Sequence, residues 1–123
     1  IVRDLDFPVQ IVAVETVREP DGLALSSRNA RLDAAGRTAA PVLYRALAAA
    51  ASLIERGETK PEAVRERAIE VLRGEPSVRL EYLEVVDADE LQPVREIAGP
   101  VVVAGAIWIG DVRLIDNVAV TPR

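Results

Sequence analysis

Residues 101–120 read VVVAGAIWIGDVRLIDNVAV. The first nine, 101–109, are aliphatic, aromatic or glycine without one charge, which predicts a strand buried on both faces. Gly110-Asp111 is a two-residue hairpin signal, and 112–120 returns as a second strand. Asp116 and Asn117 interrupt its apolar run. Two roles fit them: capping the strand end, or a buried hydrogen bond to neighbouring helices. Trp108, among aliphatic neighbours, is expected to pack in the core.

A third strand lies just upstream. Val78, Leu80 and Tyr82 alternate with Arg79 and Glu81. The phase then slips, because Leu83 and Val85 are apolar too, and a β-bulge near Tyr82 accounts for the slip. Residues 87–91 read as a turn or a single helical turn. Asp87 and Asp89 serve there as turn caps. As a metal pair they lack a third ligand, and hard cations want several oxygens.

Before the strands the period becomes helical. Asp33 is placed to cap a helix from Ala34, and Pro41 forces a restart. Val42, Leu43, Ala46, Leu47, Ala50, Leu53 and Ile54 then share one face, and Gly57 ends that helix. Thr59 is expected to cap the next, with Pro61 and Glu62 in its first turn. Val64, Ala68, Val71 and Leu72 make its buried stripe, and Gly74 stops it. Arg65 and Arg67, among Glu62, Glu66 and Glu70, read as a solvated face with i,i+4 pairs. Two main helices followed by three strands predict an α+β fold, the helices packed on a small three-stranded antiparallel sheet.

The first 30 residues fit that unit less well. Residues 8–14, PVQIVAV, make a short β-branched strand. The stretch 15–29, ETVREPDGLALSSRN, has a Pro-Asp-Gly turn and no apolar period. Loops this long are uncommon without a use. The early strand is expected to be the last strand of a preceding domain, which puts a boundary near residue 30 and divides the chain into 1–30 and 31–123. An alternative gives that strand's free edge to a second copy, making a non-catalytic dimerisation module and a homodimer.

Composition narrows the chemistry. The 123 residues contain no cysteine and no histidine, which excludes disulfides, thiolate metal sites, a cysteine nucleophile and a Ser-His-Asp triad within the chain. Net charge is −5 and the pI about 4.8, unlike a protein that neutralises nucleic-acid phosphates. No apolar run approaches the roughly 18 residues of a membrane span, and residues 1–20 do not read as a signal peptide. A cytoplasmic location is expected, with no nucleic acid or membrane as partner. Methionine is absent, so Ile1 is no initiator; the chain is expected to be processed or cut from something longer.

Within the loop, 22–29 reads GLALSSRN. Ser26 and Ser27 offer hydroxyl and backbone donors to phosphate oxygens, and Arg28 offers a planar, permanently charged fork. Such donors, brought to a developing negative charge, supply electrostatic catalysis. On spacing alone the trio equally fits a solvated loop with a serine cap.

The block ETVREPDGLALSSRN, with the ending GDVRLIDNVAV, resembles the pantothenate synthetase (pantoate–β-alanine ligase) family. Arg18 and the run from Asp21 to Asn29 match the family's pattern, as do Arg113 to Asn117; Glu15 stands where the family has proline. The resemblance implies a Rossmann-like nucleotidyltransferase domain followed by a smaller C-terminal domain that closes over its site. It implies an ATP- and Mg2+-dependent ligase that joins pantoate and β-alanine through a pantoyl adenylate, releasing pyrophosphate and AMP. It implies that Ser26, Ser27 and Arg28 hold the ATP phosphates in a KMSKS-type loop, that Leu25 contributes through its backbone, and that Val17 lies beside the adenine. It places the family's His-x-Gly-His motif, pantoate-binding glutamines and Lys-Asp pair upstream of Ile1. The chain alone is therefore expected to be inactive and to hold no metal by itself.

Overall fold

In the computed structural model, residues 17–24 and 26–122 are described, apart from the side chain of Ser27. The early strand at 8–14, and the strand-paired dimer built on it, lie outside the described residues. The elements are a 3-10 turn Ser27–Arg31, α1 Ala34–Ala39, α2 Val42–Glu55, α3 Pro61–Leu72, β1 Val78–Asp87, β2 Val101–Ile109 and β3 Val112–Val120.

The three strands form an antiparallel meander with β2 in the middle. β2 and β3 pair without interruption from Ile109↔Val112 to Val101↔Val120. Gly110, at φ 59°, makes the tight turn between them. β1 and β2 stay in register except between Leu80 and Tyr82, where the pairing slips. That bulge lets Val78 on one side of it, and Leu83 and Val85 on the other, join the same core.

Strand alternation sets the two faces. Leu83, Val85, Val101, Val103, Ile107, Val112, Leu114 and Val120 meet the buried faces of α2 and α3 in one cluster. Tyr82, Val86, Val102, Ala104 and Ala106 form a smaller cluster on the other face. From Val101 to Ile107 every residue of β2 is buried, as its uncharged composition predicts. Gly105 allows the close fit at the centre: a Cβ there would lie 3.0 Å from Leu83 Cδ1 and 3.2 Å from Leu43 Cδ1.

The helices obey their sequence signals with one exception. Asp33 accepts from Gly36 N at 2.7 Å and caps α1. Pro41 begins α2 afresh, because its ring cannot continue a helix interior. Gly57, at φ 108°, closes α2; its N–H donates to Ile54 O and that of Glu58 to Leu53 O, a paired-carbonyl C-cap. Thr59, expected to cap α3, does not. The cap position belongs to Lys60, which makes no side-chain cap bond, while the Glu58 carboxylate accepts from the N–H groups of Thr59 and Lys60 at 3.1 Å each.

Two surface expectations change. Trp108 is not core: it is half-buried on the outer sheet face, donating from Nε1 to Glu81 Oε1 at 2.7 Å. Its parity along β2 is opposite to that of Ile107, so it points away from the helices. On α3, Arg65 Nε donates to Leu83 O at 2.7 Å. Among the described residues, the ion pair on that helix is Arg67–Glu70, spaced i,i+3 at 3.7 Å rather than i,i+4.

Asp87 caps the turn after β1, accepting from Asp89 N at 3.0 Å and Glu90 N at 2.6 Å. Among the described residues no helix is long and apolar enough to cross a membrane.

Candidate functional site: an anchored hydroxyl-and-guanidinium turn

The stretch 15–29, expected as a long loop with a Pro-Asp-Gly turn, shows that turn and further local structure where it is described. Arg18 and Ala24 form an isolated antiparallel bridge, Glu19 N donates to Leu23 O at 2.8 Å, and Gly22 N donates to Glu19 O at 2.9 Å. The Asp21 carboxylate accepts from Leu23 N at 3.2 Å. Gly22 sits at φ 97°, and a Cβ there would fall 2.3 Å from the Tyr44 ring. Only glycine permits both that conformation and that contact.

The turn is pinned to the body at three points. Leu23 is buried within the main core. Arg37 pairs with Asp21 at 2.7 Å, and this hydrogen bond holds the Asp21 carboxyl below the usual carboxylate range. Arg18 reaches inward. Its Nη1 donates to Asp116 Oδ2 at 2.5 Å and its Nη2 to Asp116 Oδ1 at 2.9 Å. The guanidinium lies 4.1 Å from the centre of the Tyr44 ring.

Asp116 is therefore not a strand-end cap, and its strong bonds go to the loop rather than to the helices. It is 3% exposed and is the one buried charged residue among those described. It occupies the inward phase of β3, shared by Val112, Leu114, Val118 and Val120. That phase was the available signal: an aspartate on the buried side of an alternating strand demands a cation.

The sequence trio sits at the far side of this turn. Ser26 caps the 3-10 turn, its Oγ accepting from Arg28 N at 3.1 Å. Asn29 ties that turn back, Nδ2 donating to Ala24 O at 2.9 Å. Ser26 and Arg28 are both exposed. Arg28 makes no side-chain hydrogen bond or ion pair among the described residues. Arg31 lies on the same short turn, 3.9 Å from the exposed Asp111. Val17 is 65% exposed, next to the anchored Arg18. Leu25 and the Ser27 side chain lie outside the description.

The donor set is a hydroxyl, turn amides and cations, which suits an anion and not a metal ion. Among the described residues no three His, Cys, Asp or Glu gather. Two buried polar atoms also have no partner there: Asn29 Oδ1 and Asn117 Nδ2.

The class of protein is thus an α+β unit that anchors a hydroxyl-and-guanidinium turn on its own core. Comparison with known proteins makes this particular. The pantoate-beta-alanine ligase family model matches residues 1–119, and the chain belongs to that family. Pantothenate synthetase of Moorella thermoacetica is 47% identical over 118 residues, covering 96% of this chain and 42% of that protein. The bifunctional pantoate ligase/cytidylate kinase of Synechococcus elongatus is 46% identical over 123 residues, covering all of this chain and 23% of that protein. The crystal structure of pantothenate synthetase from Thermus thermophilus superposes with a TM-score of 0.81 at 42% identity, covering 94% of this chain and 42% of that one. The chain thus spans less than half the length of these relatives.

Proposed function

We propose that these residues serve as the phosphate-holding and closing part of a pantoate-activating ligase. The observation that carries this reading is the short turn Ser27–Arg31 capped by Ser26, where Ser26 and Arg28 are exposed and the Arg28 guanidinium has no partner among the described residues, in a chain of this family. In the reaction, a pantoate carboxylate oxygen attacks the α-phosphorus of ATP and pyrophosphate leaves. The β-alanine amine then attacks the acyl carbon of the adenylate, loses a proton and displaces AMP as the acyl–oxygen bond breaks.

Negative charge grows on the leaving pyrophosphate as the first step proceeds. Arg28 supplies a fixed positive charge to it, with hydroxyl and amide donors from Ser26 and Ser27 beside it. Leu25 adds a backbone contact, and Val17 borders the adenine through its backbone. Residues 1–30 would then close the Rossmann-like catalytic domain and 31–123 form the C-terminal domain over it. Magnesium fits as the companion of the triphosphate, because the side chains here are phosphate donors. When bound, it neutralises phosphate charge.

Pyrophosphate release tests the reading. The 123 residues alone are expected to release none above background with ATP, Mg2+, pantoate and β-alanine. The full gene product that carries them is expected to release it only when pantoate is present. Pantoate-dependent release by the chain alone would contradict this division of labour.

A further inference from the structure

We infer that Arg18 is a positioning residue whose ion pair with Asp116 sets where the Ser26–Arg28 turn stands relative to the sheet; its catalytic consequence rests on the reading above.

A continuous path of contacts joins Asp116 to the 3-10 turn. Asp116 belongs to β3, opposite Gly105 of the central strand, and is nearly sealed from solvent. Both of its oxygens take a guanidinium nitrogen of Arg18, a bidentate fit that fixes direction as well as distance. Arg18 Nη1 also donates to Gly22 O at 3.1 Å, and Tyr44 of α2 covers the guanidinium. One side chain thus gathers β3, α2 and the tip of the turn. Along the backbone, Arg18 bridges to Ala24, and the Ala24 carbonyl receives Asn29 from the 3-10 turn. From Asp116 to Asn29 each step is a bridge or a hydrogen bond.

Val17 and Ser26 flank this path on either side. A displacement of Arg18 therefore moves both the exposed Val17 and the hydroxyl-guanidinium turn. A buried charge pair costs desolvation and adds little stability over an apolar pair, so its yield is geometry. Lysine keeps the charge of Arg18 but cannot reproduce the fork.

Backbone 15N relaxation of the 123-residue chain tests the coupling. In Asp116→Asn, order parameters at residues 28–31 are expected to fall from about 0.85 to below about 0.6, while those of β2 stay near about 0.85. Arg18→Lys is expected to give a smaller fall at the same residues. If Asp116→Asn disturbs β2 as well, Arg18→Lys decides. Unchanged order at 28–31 in a folded variant overturns the inference, whatever the enzyme does.

In the full gene product, Arg18→Lys is expected to raise the KM for ATP by about fivefold or more and to leave the KM for pantoate unchanged. A fall in activity matched by a fall in the folded fraction, with kcat per folded molecule and the KM for ATP both unchanged, would make the pair merely structural and overturn the positioning role. Failure of the unaltered gene product to show pantoate-dependent pyrophosphate release would instead strike the proposed function, and the relaxation result would still decide the coupling.

Discussion

The helix-covered sheet and the turn at 17–32 are held by different physics. The sheet and its helices bury Leu47, Ile54, Leu83, Ile107, Val42 and Val64 almost completely. Apolar contact is non-directional, and its strength is spread over many residues. The turn gives that core mainly Leu23. It depends otherwise on directed contacts: the Arg18–Asp116 fork, the Asp21–Arg37 pair and the glycine beneath Tyr44. A spread of apolar contacts tolerates the loss of any one direction. Directed contacts hold a geometry, which is what the proposed role of the turn needs.

Substitutions can break this contrast in graded ways. The largest stability effect is expected from Leu47→Ala in α2, a fully buried side chain. It should cost about 2–5 kcal/mol in chemical denaturation and loosen the whole unit cooperatively. Gly22→Ala should act more locally. Positive φ and the Tyr44 ring both oppose the new methyl, at a cost of about 1–3 kcal/mol. Amide exchange should speed at 18–24 and leave β2 protected. A uniform loss across both regions would erase the distinction.

The smallest effect concerns pH. Glu81 accepts from Arg113 and Trp108 on the outer sheet face. The Arg113 hydrogen bond holds its carboxyl below the ordinary carboxylate range. A carboxyl depressed in the folded state stabilises at pH above its unfolded value and loses that contribution as pH falls through its folded value. Glu81→Gln should therefore flatten the acid limb of stability modestly and leave the order of the 26–31 turn unchanged. An acid limb identical to that of the unaltered chain would show that the outer-face pair contributes nothing.

The sheet and helices were legible because their signals are periodic. The uncharged run at 101–109, the phase slip near Tyr82 and the stops at Pro41 and Gly57 each follow from backbone sterics and burial. Trp108 was misread because a run buried on both faces hides which residues turn outward. Thr59 does not cap because α3 starts one residue later than the hydroxyl suggests, with Lys60 at the cap position. At the site, Ser26 and Arg28 stood out by residue type and by resemblance. The Arg18–Asp116 pair did not, because its partners are 98 residues apart and only their meeting across the fold makes them a unit. The inward phase of Asp116 announced that a cation was needed, without saying which arginine would supply it.

Arg28 is proposed to act on charge that develops at the leaving phosphates. The most direct test of that role is pantoate-dependent exchange of labelled pyrophosphate into ATP by the full gene product, with and without Arg28→Ala. Loss of an electrostatic contact made in the transition state predicts a fall in the exchange rate of about a hundredfold or more, with the KM for pantoate little altered. An exchange rate equal to that of the unaltered protein would contradict the account.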